Sequence, residues 1–159
     1  MGTKYKGNKG EINALNAFIN INRAVDSIGT RISKNFQQKG LTESQFGVLE
    51  ALLHLGPLYQ KEIAEKLLVS SGNITMVIDN LEKRELVKRL RYQKDRRYFN
   101  IELTNKGKNL IKSIFPEHVK AIVREFETLT QEEQKVLRNL TRKLGKGKDL
   151  GINGVKKND

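Results

Sequence analysis

Cysteine and tryptophan are absent from this 159-residue sequence, and histidine occurs twice. Without cysteine the chain has no disulfide, no thiolate metal site and no thiol-based redox sensor, which fits a cytoplasmic protein. No apolar run reaches the length of a membrane span, and no signal peptide is visible at the start. A phosphate-cradling glycine loop is missing, as is a Ser-His-Asp arrangement with supporting context. We therefore expect neither an enzyme nor a cofactor.

Acidic residues are scarce relative to basic ones. Thirty Lys and Arg against eighteen Asp and Glu give a formal net charge of +12. This excess predicts a polyanionic partner, either nucleic acid or an anionic membrane surface. The length corresponds to one domain, or to one domain with helical extensions.

The most informative part of the chain is its middle third. A short strand is expected at residues 58–59, followed by an amphipathic helix at residues 60–67. After a break containing serine and glycine, a second helical pattern covers residues 73–84. Two strand-like runs follow at residues 86–92 and 98–103, joined by a basic connection. A helix, a turn, a helix and a basic hairpin predict a winged helix-turn-helix, which is a DNA-reading module.

The second helix of this module has two different faces. Apolar residues at helical spacing predict a buried stripe of Ile74, Val77, Ile78 and Leu81. The opposite face consists mostly of short polar side chains, namely Ser71, Asn73, Thr75, Met76, Asp79 and Asn80. Such a face suits the major groove, where base edges present donors, acceptors and methyl groups. Ser70 or Ser71 is the expected N-cap, which leaves backbone N–H groups near a phosphate. A solvated helix face with serine caps is the alternative interpretation.

The hairpin that follows is strongly basic. Glu85 and Asp95 are outnumbered there by Lys83, Arg84, Lys88, Arg89, Arg91, Lys94, Arg96 and Arg97. A protein surface that serves only to keep the protein soluble normally carries both positive and negative charges. The excess therefore predicts phosphate contact and minor-groove insertion, and we assign the contacts to Arg91, Lys94, Asp95, Arg96 and Arg97. Phe99, Ile101 and Leu103 alternate with polar residues, which predicts one inward face of the second strand.

Helical patterns flank the module on both sides. Residues 11–38 carry an apolar stripe that so small a chain cannot cover by itself; a partner subunit would supply the missing surface, and an intramolecular bundle is the alternative. Residues 41–104 form the winged helix-turn-helix domain, and residues 105–144 return as helices. The expected fold is thus mainly α with a small β-wing, plus N- and C-terminal dimerisation helices. Residues 1–10 are expected to form a flexible N-terminus, and residues 145–159 a flexible basic tail.

Helix starts are marked by local capping signals. Thr42 with Gln45, and Thr130 with Glu133, form two capping boxes. Thr104 is the expected N-cap of the helix that follows the hairpin.

Two groups of residues in the module carry a family resemblance. The wing group comprises Asp95, Arg97, Leu103, Thr104 and Gly107. The helix group comprises Leu68, Val69, Ser70, Ile74, Thr75, Asp79, Leu81 and Glu82. Together they resemble the MarR family of bacterial transcription regulators, over roughly residues 15–144. Met76 and Asn80 stand where many members have arginine, and Glu85 stands where members often have a helix-ending glycine.

The resemblance implies a homodimer whose first and last helices interlock. It also implies a repressor that binds a pseudo-palindromic operator in double-stranded DNA and is released by a small ligand. Asp95 would hold Arg97 in an extended pose for the minor groove. The rival from another class is an architectural or assembly protein whose winged helix has little sequence specificity.

A ligand pocket between the dimer helices and the DNA-binding module is a further implication. Its candidate lining residues are Ile28, Ile32, His54, Phe115 and His118. Residues 114–118, which include Pro116, look like a stretch found in members that respond to quinones and other phenolic compounds. Ordinary core packing around a helix kink is the alternative. A metal at His118 and Glu117 is not expected, because no third ligand is near in sequence.

Overall fold

The structure is a computed structural model that describes residues 2–91 and 99–147, without the side chain of Arg91. Over these residues the chain is mainly helical, with one small antiparallel sheet, as predicted. The elements are α1 (Lys9–Ile32), α2 (Lys34–Gln37), α3 (Glu43–Leu55), β1 (Leu58–Tyr59), α4 (Gln60–Leu67), α5 (Ser71–Lys83), β2 (Val87–Arg91), β3 (Phe99–Leu103), α6 (Asn105–Phe126) and α7 (Gln131–Lys146). The chain divides into two compact units, Met1–Ile122 and Val123–Asp159.

The core of the first unit is almost entirely aliphatic. Its most completely buried side chains come from α3, α4, α5, α6 and the sheet, and they are Val48, Leu49, Ile63, Ile74, Ile78, Leu81, Val87, Ile101 and Ile111. Burying each of these side chains contributes about 1.5–3 kcal/mol to folding. The apolar stripe predicted for α5 is confirmed, because all four of its residues are buried. The opposite face of α5 is therefore turned away from the core.

The sheet has the strand order β1-β3-β2. Leu58 pairs with Ile101 and Tyr59 with Asn100, which confirms the short strand expected at residues 58–59. The inward alternation predicted for β3 holds at Ile101 but is wrong at Phe99, which is 37% exposed. Phe99 lies one residue beyond the last pair with β1, so that strand does not cover it.

The first helical segment differs from the single helix predicted for residues 11–38. Asn8 and Glu11 form a capping box, so α1 begins two residues earlier than expected. At the other end, Ser33 separates α1 from α2. Its hydroxyl donates to the carbonyl of Thr30 at 3.1 Å and accepts from the Gln37 amide at 3.0 Å. The backbone of Ser33 nevertheless stays helical, because its N–H donates to Gly29 O at 2.9 Å and its carbonyl accepts the Gln37 N–H at 3.0 Å, so the interruption is slight.

The turn between α5 and β2 places Glu85 in the left-handed conformation, with φ of 60°. The N–H of Glu85 donates to Glu82 O at 2.8 Å, and the N–H of Leu86 donates to Leu81 O at 2.9 Å. The turn thus keeps a backbone conformation that favours glycine, although the residue is glutamate.

Thr104 caps α6 as expected, since its hydroxyl accepts the Gly107 N–H at 3.0 Å.

The second unit contains the end of α6 and helix α7. The predicted capping box of Thr130 and Glu133 is confirmed. Helix α7 continues to Lys146 and ends at Gly147, which has a φ of 66°. Helix α7 therefore extends two residues beyond the helix end predicted at residue 144. Among the described residues, no helix combines the length and apolar character needed to cross a membrane.

Candidate nucleic-acid interface

The turn between α4 and α5 sets the start of the candidate recognition helix α5. Leu68 ends α4 in the left-handed conformation, and its side chain is 92% exposed. Ser70 is the N-cap of α5, because its hydroxyl accepts the Asn73 N–H at 3.3 Å. Of the two serines considered from the sequence, Ser70 caps the helix and Ser71 is its first residue. The first turn of α5 still presents other backbone N–H groups, as a phosphate contact requires.

The outward face of α5 is exposed along its length. The exposed side chains include Ser71, Asn73, Thr75, Met76 and Asn80, all of which the sequence predicted for this face. The hydroxyl of Thr75 is already hydrogen-bonded, since it accepts from the Gln60 amide at 2.6 Å and donates to Ser71 O at 2.9 Å. The contact with Gln60 was missed from the sequence, since the two residues lie on different helices.

A cleft lies beside the first turns of α4 and α5, with a volume of about 360 Å³. It is lined by Tyr59, Gln60, Lys61, Ala64, Ser71, Ile74 and Phe99. The first turns of two helices thus border one depression, which places the positive end of each helix dipole beside it. Exposed Phe99 also borders the cleft at the base of the hairpin.

Several basic residues at the base of the hairpin form hydrogen bonds or ion pairs within the protein. Arg84 donates to Gly40 O at 2.7 Å, and to Lys39 O and Gln45 Oε1 at 3.4 Å each. Lys88 forms an ion pair with Glu102 at 3.5 Å. These basic residues, which the sequence counts toward the charge of the hairpin, therefore also make contacts that hold the fold together.

Arg89 has the most extensive of these internal contacts. Its guanidinium donates to Asp79 and Glu82 of α5, and its backbone N–H donates to Glu82 Oε1 at 3.1 Å. Burial lowers the pKa of Arg89, but the hydrogen bonds and charges of the two carboxylates outweigh it, so the net pKa is raised. Arg89 is therefore a permanent cation in this site.

The predicted contacts at the hairpin tip, Lys94, Asp95, Arg96 and Arg97, lie outside the described residues. Arg91 is described by its backbone, which pairs with Phe99. The roles assigned to these residues remain predictions.

Part of the predicted ligand pocket forms an aromatic cluster. The His118 ring lies 4.5 Å from that of Phe46 and 5.9 Å from that of Phe36, and the His54 ring lies 4.7 Å from that of Phe115. His118 is 8% exposed, and its Nδ1 has no hydrogen-bond partner among the described residues. Burial lowers the pKa of His118, while the charge of Glu50 acts in the opposite direction.

The other predicted pocket residues are arranged differently. Ile28 and Ile32 are half-buried on α1 and lie outside the main core cluster, and His54 is exposed apart from its contact with Phe115. Among the described residues, no three His, Asp or Glu side chains are grouped as a metal site would need.

A capped recognition helix, a preceding helix and a three-stranded wing sheet together define a winged-helix DNA-binding protein. The chain belongs to the MarR family, whose family model matches residues 41–99. It is 36% identical over 132 residues to the HTH-type transcriptional regulator MhqR of Bacillus subtilis, covering 83% of this chain and 91% of that protein. It is 31% identical to the HTH-type transcriptional repressor MdtR of the same organism, covering 70% and 72%.

Solved structures share this fold. Sco3205, a MarR family transcriptional regulator from Streptomyces coelicolor crystallised with DNA, has a TM-score of 0.80 at 22% identity, covering 91% of each chain. The transcriptional regulator PA4135 has a TM-score of 0.74 at 26% identity, covering 82% of this chain and 96% of its own. The relatives are transcriptional regulators rather than enzymes, and regulators of this family bind DNA as dimers. The protein is accordingly a DNA-binding transcriptional regulator.

Proposed function

We propose that the protein is a homodimeric repressor that binds a pseudo-palindromic operator in the cytoplasm and is released by a small aromatic ligand. The observation that carries the DNA-binding part is the exposed polar face of α5. The first turn of this helix is capped, and the apolar residues of its opposite face are buried in the core. In a symmetric dimer, two such helices would enter successive major grooves about 34 Å apart.

The proposed dimer is supported by apolar side chains that each unit leaves uncovered. No residue of α1 is buried, and Phe18 and Val25 are 68% and 64% exposed. No residue of α7 is buried either, and Leu140 and Leu144 are 60% and 66% exposed. Apolar stripes of this length on two long helices are typical of a subunit interface.

Light scattering tests the dimer. Replacing Leu137 and Leu140 with Asp should produce a monomer, because burying charges in an apolar interface costs several kcal/mol. Arg142→Asp is the matched control, since it adds negative charge to an exposed position of the same helix outside the stripe. A wild-type monomer at micromolar concentration would contradict the dimer.

Sequence-specific binding is tested by selecting duplexes from a randomised pool with the wild-type protein. A repressor should bind the selected operator about a thousandfold more tightly than random DNA. With about eight phosphate contacts per dimer, log affinity should fall against log salt with a slope near −7. A protein that binds selected and random DNA with similar affinity would favour the architectural alternative. A slope of log affinity against log salt shallower than about −2 would mean that the basic residues of the hairpin do not contact the DNA.

The wing contribution is tested with variants of the hairpin tip. Arg97→Ala should cost roughly 1–3 kcal/mol of operator affinity, because a planar, weakly hydrated cation suits the narrow minor groove. Asp95→Ala should cost less, and the two losses should not add, since both act through one guanidinium. Arg96→Ala is the neighbouring control. Operator binding that survives Arg97→Ala but not Arg96→Ala would contradict the proposed wing register.

The ligand part of the proposal rests on the buried Nδ1 of His118, which has no hydrogen-bond partner in the described part of the chain and lies beside the rings of Phe46 and Phe36. An aromatic compound with a hydroxyl group could stack on these rings and give this nitrogen its missing hydrogen bond. NadR, which shares the fold at a TM-score of 0.71 and 24% identity, was crystallised with 4-hydroxyphenylacetate. That likeness concerns the fold alone, so the proposal depends on the residues of this chain.

A phenol series tests the ligand proposal by thermal unfolding and operator binding in parallel. An active phenol should raise the melting temperature and weaken operator binding over the same concentration range. His118→Phe should abolish both effects, because it keeps the aromatic packing and removes the nitrogen. The regulatory part fails if ligands stabilise the protein without changing DNA affinity.

A further inference from the structure

The recognition helix carries two acidic residues on one flank. Asp79 and Glu82 are three residues apart, and their side chains are 46% and 39% exposed. Residues at this spacing are neighbours on a helix surface. A helix that approaches phosphates with two uncompensated carboxylates would be repelled by the DNA. This flank therefore requires a compensating charge.

The compensating charge comes from β2 rather than from α5 itself. Each carboxylate accepts from a different terminal nitrogen of Arg89, whose side chain is 21% exposed. Glu82 also accepts the backbone N–H of Arg89 at 3.1 Å, so it contacts both the main chain and the side chain of this residue. Such forked, charge-assisted hydrogen bonds are strong and geometrically specific.

The sheet fixes the position of this guanidinium. Arg89 pairs in register with Ile101, which is fully buried at the centre of the sheet. The next residues of β2 lead directly into the hairpin that carries the predicted minor-groove contacts. The three side chains thus join the recognition helix to the base of the wing, and they reduce two negative charges to one.

We propose that Arg89 is a positioning residue for operator binding, which acts through Asp79 and Glu82. It offsets one of the two negative charges on the acidic flank of α5 and holds β2 against the helix that reads the major groove. It does not bind phosphate, because both terminal nitrogens of its guanidinium donate to the two carboxylates. The inference depends on DNA binding by α5 but not on repression or on a ligand.

The test compares four proteins on a duplex selected by the wild type from a randomised pool. They are the wild type, Arg89→Gln, the triple variant Arg89→Gln/Asp79→Asn/Glu82→Gln, and Lys88→Gln. Lys88 is the matched control, because the adjacent residue of the same strand loses the same charge while its partner is Glu102 of β3. If the pool yields no preferred duplex, sequence-specific repression fails, and the four proteins are then compared on a mixed-sequence duplex.

Arg89→Gln should bind at least about tenfold more weakly than the wild type, because it leaves two carboxylates uncompensated near the DNA. The triple variant should recover most of this loss, since it removes the carboxylates and keeps amides that can hydrogen-bond to one another. Lys88→Gln should change the affinity by less than about threefold, as a single exposed charge does.

The salt dependence separates positioning from direct contact. A residue that does not contact phosphate should leave the slope of log affinity against log salt unchanged, whereas loss of a phosphate contact reduces it by about one. The proposal is overturned if the slope of Arg89→Gln falls by one, or if the triple variant binds no more tightly than Arg89→Gln. Should Arg89→Gln fail to fold, Arg89→Lys replaces it, because lysine keeps the charge but cannot bridge both carboxylates as a planar fork. With that variant, affinity equal to the wild type would also overturn the proposal.

Discussion

Gly107 is the position at which the smallest possible substitution should be most damaging. A Cβ atom there would lie 1.9 Å from the carbonyl oxygen of Leu86, 2.8 Å from its carbonyl carbon and 3.2 Å from its Cα. These are backbone atoms in the turn between α5 and β2, so no side chain can rotate away. Gly107→Ala must therefore separate the first turn of α6 from this turn by more than 1 Å, given the contact distances above.

The expected cost follows from three effects. Overpacking of this kind costs about 1–3 kcal/mol. The separation would also weaken the bond from the Thr104 hydroxyl to Glu85 O at 2.6 Å and that from the Thr104 N–H to Leu86 O at 3.1 Å, at about 1 kcal/mol each. In the opposite direction, replacing a helical glycine by alanine stabilises the helix by about 1 kcal/mol. We expect Gly107→Ala to lower the free energy of unfolding by roughly 2–4 kcal/mol.

Urea unfolding followed by circular dichroism measures this difference, at one protein concentration because association contributes to stability. Gly72→Ala is the control, since it lies in the first turn of α5 with no atom within 4 Å of the added methyl group. It should be neutral, or stabilising by up to about 1 kcal/mol. An unfolding midpoint of Gly107→Ala at or above that of the wild type would refute the reasoning.

Three further variants test other features in the same urea assay. Glu85→Gly should raise the free energy of unfolding by about 0.5–1 kcal/mol, because glycine adopts the left-handed conformation without strain, and a lower midpoint would contradict this. Thr42→Ala should lower it by about 1 kcal/mol through loss of an N-cap, and an unchanged midpoint would contradict the cap. Burial lowers the pKa of His118 in the folded protein, partly offset by Glu50, so the unfolded chain takes up the proton first as the pH falls. Stability should therefore decline below about pH 6.5, and His118→Phe should remove this part of the decline; an identical pH profile for the variant would refute it.

The features that the sequence predicted well are those encoded by neighbouring residues. The buried stripe of α5 follows from a helical period that Ile74, Val77, Ile78 and Leu81 display directly. The capping box at Thr42 is equally local, because its two hydrogen bonds join residues three apart. Such signals survive in any tertiary context that keeps the helix.

The features that were missed depend on which elements become neighbours. Arg84 and Arg89 were counted with the basic surface, yet their guanidinium groups are used by Gly40 and by the acidic flank of α5. The sequence shows the charges, but it does not show which residue of β2 will lie against α5. The Gln60–Thr75 bond between α4 and α5 is of the same kind.

Helix α1 is 24 residues long, and none of its residues is buried. An isolated helix is only marginally stable in water, and most helical stability in proteins comes from packing of an apolar face. The capping box at Asn8 fixes where the helix starts, but it contributes only about 1 kcal/mol. The helix content of this segment should thus depend on how many copies of the protein are present. Protein concentration then acts as a control on folding as well as on assembly, and a freshly made chain would complete α1 when it meets a second one.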